Sequence, residues 1–233
     1  MRERVELTAR RILFEDDALL AIDKPSGLVA HATVDRDRDH LVAALQRWLT
    51  ARDGEAGHLS LVHRLDRGTS GVVVFSRDPA GDAALGEAFA AKTARKTYLA
   101  IVRPRDAAAV VAQTIDAYLA PGKGPGGRTA IVRSGGQPAR TDVRPLAERD
   151  GLVLVQAQPG TGRTHQIRVH LAHVGLPLLG DALYGVVDPD AKRLMLHAWR
   201  LELPHPRTSE MLSIEAPWPR AFRRRFDPAD LEI

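Results

Sequence analysis

The chain contains no cysteine in 233 residues, which excludes disulfides and thiolate metal sites, zinc fingers among them. It has no apolar run long enough to span a bilayer, and Met1-Arg2-Glu3-Arg4-Val5-Glu6 mixes charges of both signs with no apolar stretch behind it. Neither a membrane helix nor a secretory signal is therefore expected, and the cytoplasm is the expected compartment. Net charge is also scarce: 33 basic residues face 29 acidic ones, for +4 overall. That balance is compatible with a polyanionic partner without naming one. Local clusters say more, notably Arg220 with Arg223, Arg224 and Arg225, and Lys92, Arg95 and Lys96 ahead of an apolar strand, although solvated faces have the same look. No internal repeat occurs, and no low-complexity segment beyond the glycine-rich stretch between Pro121 and Pro138. With 44% hydrophobic and 27% charged residues, the chain can bury a sizeable core.

What is present alternates strand and helix patterns. Ile12-Leu13-Phe14 and Leu19 to Ile22 flank the acidic turn Glu15-Asp16-Asp17 and predict a hairpin. Leu41, Val42, Leu45, Trp48 and Leu49 predict an amphipathic helix over 40–50 capped by Asp39. Strands are expected at Leu59–Val62 and Val72–Phe75, with Asp66 and Gly68 on the connection between them. Asp78-Pro79 signals a helix start, and Thr97–Val102 a strand with Tyr98, Ala100 and Val102 on one face. A short strand, Thr129–Val132, interrupts the glycine-rich loops, and Leu152–Ala157 is another. Thr164 is the expected cap of a helix bearing Ile167, Leu171 and Val174, stopped by Gly175 and Pro177. A long strand from Leu194 is expected to end at Pro204.

Ionisable residues crowd three of the connections: His63, Arg64, Asp66 and Arg67; Lys96 and Tyr98; Arg163, His165, Arg168 and His170. A carboxylate kept ionised by a guanidinium, beside a phenol, has the makings of a nucleophile or base. On spacing alone the plainer readings lead, with Asp66 as a turn residue next to Gly68 and Tyr98 as a core aromatic. Familiar motifs fail. His63-Arg64-Leu65-Asp66 lacks the glycine-rich loop and Asp-Phe-Gly of a kinase, Gly68-Thr69-Ser70-Gly71 has the wrong register for a nucleophile elbow, and Gly160 to Thr164 lacks the lysine of a P-loop. His170 and His173 have no acidic partner at ligand spacing, so no metal site is expected.

Read in order, VHRLDRGTSGVVVFS (62–76), KTYLAIV (96–102) and GRTHQIRVHLAHVGLPLLGDALYG (162–185) resemble the signature segments of the RluA family of RNA pseudouridine synthases. EDDALLAIDKPSGLVAH (15–31) and LMLHAWRLELPHP (194–206) extend the likeness over nearly the whole chain. The resemblance implies an α+β fold, a mixed and mostly antiparallel sheet flanked by helices, with a central basic cleft in a single catalytic domain over 1–233 that lacks the N-terminal S4-type domain of many relatives. It implies isomerisation of uridine in ribosomal or transfer RNA to pseudouridine, without metal or organic cofactor, by a protein expected to be monomeric. Residue by residue, Asp66 matches the catalytic aspartate, Tyr98 the tyrosine that lies against the target base, and Arg168 the arginine that pairs with the aspartate. Arg64 matches the residue that fills the gap left by a flipped uridine. His63, Lys96, Arg163, His165 and Gln166, in the same segments, are expected to contact the RNA or the base. Two departures stand out: Ala182 where a proline is usual, and Phe75-Ser76-Arg77 where Ala-Lys is frequent. The alternative is an RNA-binding or RNA-folding protein without significant catalysis, against which the complete set of Asp66, Tyr98 and Arg168 argues.

Overall fold

The computed structural model describes residues 4–32, 39–122, 127–186 and 188–230. The chain divides into two compact units, one made of residues up to 95 with 198–217, the other of 96–197 with 218 onward. The architecture is α+β, with antiparallel strand pairs and few helices.

In the first unit, β1 (Ile12–Glu15) and β2 (Leu19–Lys24) form the expected hairpin. Asp16 turns the chain there by accepting from the amides of Ala18 and Leu19, each at 2.8 Å. The helix α1 (Leu41–Asp53) runs three residues beyond its expected end, to a glycine with φ of 90°. Its cap is not Asp39 but His40, whose Nδ1 accepts from the Ala43 amide at 3.2 Å. Asp39 is drawn away by the Val5 amide at 2.8 Å and the Arg47 guanidinium at 2.7 Å, which give a carboxylate stronger partners than a helix start does. The strand expected at 59–62 is only β3 (Ser60–Leu61), laid on β4 (Ser70–Ser76). Every residue of β4 is buried, and it pairs with β2 from Leu19 opposite Ser76 to Lys24 opposite Gly71. Asp78 caps α2 (Pro79–Ala90) as its sequence predicts, accepting from the Ala80 amide at 3.0 Å.

In the second unit, β5 (Arg95–Val102), β6 (Gln113–Pro121), β7 (Thr129–Val132), β8 (Gln137–Arg149) and β9 (Leu152–Pro159) pair in the order β5-β9-β8-β6-β7. β5 forms where it is expected, with Tyr98, Ala100 and Val102 on one face, and every residue from Thr97 to Val102 is buried, as in a strand covered on both faces. Residues 123–126 of the glycine-rich stretch lie outside the described residues, while β7 falls where it was expected. The helix α3 (Gln166–His173) starts one residue later than its sequence suggests, with His165 rather than Thr164 in the capping position.

The last strands return to the first unit. β10 (Leu196–Pro204) begins two residues after its expected start, ends at the expected proline, and pairs with β11 (Met211–Glu215). Leu201 and Leu203 of β10 join Leu19, Ala21, Val72, Val74, Leu85 and Ile214 in one apolar core, each leucine, valine or isoleucine contributing roughly 1.5–3 kcal/mol by its burial. In the second unit, α4 (Arg220–Arg223) buries Phe222 and leaves Arg220, Arg223 and Arg224 exposed. No helix among the described residues is long and apolar enough to cross a membrane.

Candidate functional site

The loop carrying Asp66 joins β3 to β4, and the segment after β2 holds it from outside. Ser26 Oγ donates to the Gly68 carbonyl at 2.6 Å, the Gly27 amide to the Arg67 carbonyl at 2.7 Å, and Arg67 Nε back to the Gly27 carbonyl at 3.0 Å. Beneath them lies Lys24, fully buried, its ammonium donating to the carbonyls of Leu28 at 2.7 Å and Pro25 at 3.1 Å, with Arg67 O at 3.4 Å. A charge buried this deeply is tolerated only where oxygens surround it, so Lys24 fastens the loop to the hairpin. Within the loop, the Thr69 amide donates to Asp66 O at 3.1 Å and Leu65 is buried as an anchor. The Asp66 side chain is left half-exposed, and Arg64 and Arg67 are exposed.

His63 faces inward. Its Nε2 accepts from the Val74 amide at 3.1 Å, and its ring stacks on Phe89 of α2 with centroids 4.7 Å apart.

In the second unit, Tyr98 sits opposite Ala157 of β9 and is 8% exposed. Lys96 is half-buried beside Gly162, and desolvation holds its ammonium below the usual lysine range. Arg163, His165, Gln166 and Arg168 share the turn that opens α3. Gln166 is 4% exposed and its amide is fully engaged: Oε1 accepts from Thr161 Oγ1 at 2.7 Å and the Arg163 amide at 3.0 Å, and Nε2 donates to Arg140 O at 2.8 Å and Thr141 Oγ1 at 3.0 Å. These bonds pin the turn to β8. His165 stands in the left-handed region at φ 55°, a conformation that costs a non-glycine residue about 1 kcal/mol or more. Its Nδ1 meets the Tyr184 hydroxyl at 3.0 Å. Arg163, half-buried, donates from Nε to Pro138 O at 3.2 Å.

Arg168 lies on the buried side of α3 and meets Asp181 in a two-point ion pair, Nε to Oδ2 and one terminal nitrogen to Oδ1, each 2.8 Å. Burial pushes the Asp181 carboxyl upward, but the Arg168 hydrogen bonds and charge, with the amides of Leu183 and Tyr184, more than reverse this and hold it below the usual range. The Arg168 guanidinium also lies over the Tyr184 ring, 5.2 Å from its centroid. Sequence reasoning gave no role to Lys24, Asp181 or Tyr184. Lys24 lies in the matched segment 15–31 and the other two in Gly180 to Gly185, but nothing in spacing says that a charged residue there is buried.

The sequence model of a family described as RNA pseudouridylate synthase matches residues 18–173. Among curated proteins, the chain is 37% identical over 227 residues to ribosomal large subunit pseudouridine synthase D of Nitrosomonas europaea, covering 93% of this chain and 64% of that one. It is 37% identical over 231 residues to ribosomal large subunit pseudouridine synthase C of Yersinia pestis, covering 95% and 69%. The chain thus spans about two-thirds of the length of these relatives. Among solved structures, human RNA pseudouridylate synthase domain containing 4 superposes with a TM-score of 0.75 at 28% identity, covering 94% of this chain and 95% of that one. Human RNA pseudouridylate synthase domain containing 1 gives 0.71 at 26% identity, covering 92% and 87%.

Proposed function

The chain belongs to the RNA pseudouridylate synthase family, and on that premise we propose that it converts uridine in structured RNA to pseudouridine with Asp66 as the acting carboxylate. The observation that carries this reading is the mounting of the Asp66 loop. The carbonyls of Arg67, Gly68 and Gly27 and the buried Lys24 brace residues 67–68 against the end of β2 and the segment after it, yet Asp66 stays partly exposed at the loop surface. A functional group on a rigid frame with an accessible tip is what positional catalysis requires.

The reaction breaks the bond between N1 of uracil and C1′ of ribose, forms a bond from C5 to C1′, removes the proton of C5 and places a proton on the freed N1, so that product and substrate are isomers. A carboxylate suffices to start it, whether it attacks the sugar, attacks the base or removes a ribose proton, and each path needs Asp66 ionised. In this reading Tyr98 lies against the base and assists loss of the C5 proton. Arg168 supplies positive charge to Asp66, and Arg64 takes the place of the flipped uridine. Lys96, Arg163 and His165 are assigned to the RNA. The family match runs through residues of both compact units, and we read the chain as one catalytic domain. The two curated relatives above are named for the large ribosomal subunit, which makes its RNA the first substrate to try, with transfer RNA as the second.

The test is release of tritium from carbon 5 of uracil in RNA by wild type and Asp66→Asn. Release by wild type and none by Asp66→Asn is the expected outcome. Equal release from both would remove Asp66 from the chemistry, and binding without release by wild type on either RNA would favour an RNA-binding protein.

A further inference from the structure

The segment Gly180 to Gly185 holds a charged group that the reaction as described does not use. Asp181 is 1% exposed, and both of its oxygens are occupied. Oδ2 takes Arg168 Nε; Oδ1 takes an Arg168 terminal nitrogen, the Leu183 amide at 2.9 Å and the Tyr184 amide at 3.3 Å. The turn is built for this. Gly180 has φ of 72°, and a Cβ there would sit 2.1 Å from Arg193 O, so the backbone is pressed against its neighbour just before the aspartate. After the aspartate comes Tyr184, whose ring supports the guanidinium and whose hydroxyl accepts from the Thr129 amide at 2.6 Å and meets His165 Nδ1 at 3.0 Å.

An arginine held by Nε and one terminal nitrogen of a fixed carboxylate has its plane and rotation set, so that only its remaining edge is left to serve another group. Burying such a pair adds little net stability over an apolar pair of the same volume. Its physical yield is the orientation of the guanidinium. We infer that Asp181 is a positioning residue for the reaction: through the fork, with Tyr184 behind it, it aims the Arg168 guanidinium at its task. This rests on the reading that Arg168 supports Asp66.

The test compares kcat, KM and the pH dependence of tritium release for wild type, Asp181→Asn, Arg168→Lys and the double variant, with thermal unfolding of each. Asp181→Asn keeps the shape and loses the charge that orders the fork. Its kcat is expected to fall at least about tenfold with KM for RNA within about threefold, and the acid limb of the kcat profile to shift. Lysine cannot form the fork, so in the Arg168→Lys background Asp181→Asn is expected to cost less than about a further twofold. Should Asp181→Asn fail to fold, Asp181→Glu keeps the buried charges paired while moving the anchor by one methylene, and the same fall in kcat is expected of it. A wild-type kcat and pH profile in the folded variant, or losses that multiply in full between the two positions, would overturn the proposal. Wild-type rates in Arg168→Lys would instead overturn the role of Arg168 itself, a different failure and separately visible.

Discussion

Gly71 closes the segment that carries Asp66, and replacing it by alanine is the sharpest test of how that segment is held. Its φ is +115°, and a Cβ there would lie 2.1 Å from the carbonyl oxygen of Ala198 and 2.7 and 2.8 Å from that residue's carbonyl carbon and nitrogen. All three are backbone atoms of β10, the strand beside β4, so no side chain can swing away to make room. Ordinary contacts begin near about 3.5 Å, and the two strands would have to separate by more than about 1 Å. The backbone conformation costs roughly 1–3 kcal/mol for a residue with a Cβ, overpacking another 1–3 or so, and each ladder bond stretched open about 1. The sum is on the order of 4 kcal/mol or more, in the exceptional range for one substitution. For a chain of this size, about 2–4 °C per kcal/mol converts that to a fall in Tm of roughly 8–16 °C, with less soluble protein. The control is Gly86→Ala on the exposed face of α2, where a Cβ meets nothing within 4 Å; it should gain about 0.5–1 kcal/mol from helix propensity. Thermal and urea unfolding of both variants decide the matter. A Gly71→Ala protein melting within about 3 °C of wild type would show that β4 and β10 are not in the close contact from which this argument starts.

Much of the fold was legible because its signals are local. Asp78-Pro79 announced α2, the acidic turn at Asp16 announced the first hairpin, and Thr129–Val132 stood out between glycines. The misreadings share a cause: local pattern lost to distant partners. Asp39 has the chemistry of a cap, but Arg47 and Val5 hold its carboxylate and His40 caps instead. The alternation in β5 was real yet without consequence once both of its faces were covered. β6 and β8 went unassigned because their outward positions, Asp116, Arg140, Asp142 and Arg144, are charged. At the candidate site, the surroundings of the residues in the matched segments were not readable. Gln166 spends its amide on the turn and on β8, and His63 lies against Phe89. The buried charges Lys24 and Asp181 could not be foreseen, since what makes them tolerable is a set of carbonyls from residues 1, 4 and 43 positions away and a fork from a residue 13 positions away.

Two further outcomes are expected. Arg64 is exposed, so Arg64→Ala should leave stability within about 0.5 kcal/mol while lowering kcat/KM for RNA at least about tenfold; an unchanged kcat/KM would remove it from base flipping. His170 gives a stability prediction with a definite sign. It is fully buried, and its Nδ1 lies 3.0 Å from Thr141 Oγ1, the hydroxyl that also accepts from Gln166 Nε2. Burial, followed by the like charge of His173, pushes its pKa down from 6.5 to about 4. Below pH 6.5 the unfolded chain takes up a proton that the folded chain refuses, so stability is complete above that pH and is lost as the pH falls toward 4. At 1.36 kcal/mol per unit, the loss at pH 4 from this residue comes to about 3 kcal/mol. Urea unfolding of wild type and His170→Gln between pH 7 and 4 should therefore converge by about that amount as the pH falls. Parallel curves would mean that the folded chain takes up the His170 proton as readily as the unfolded one.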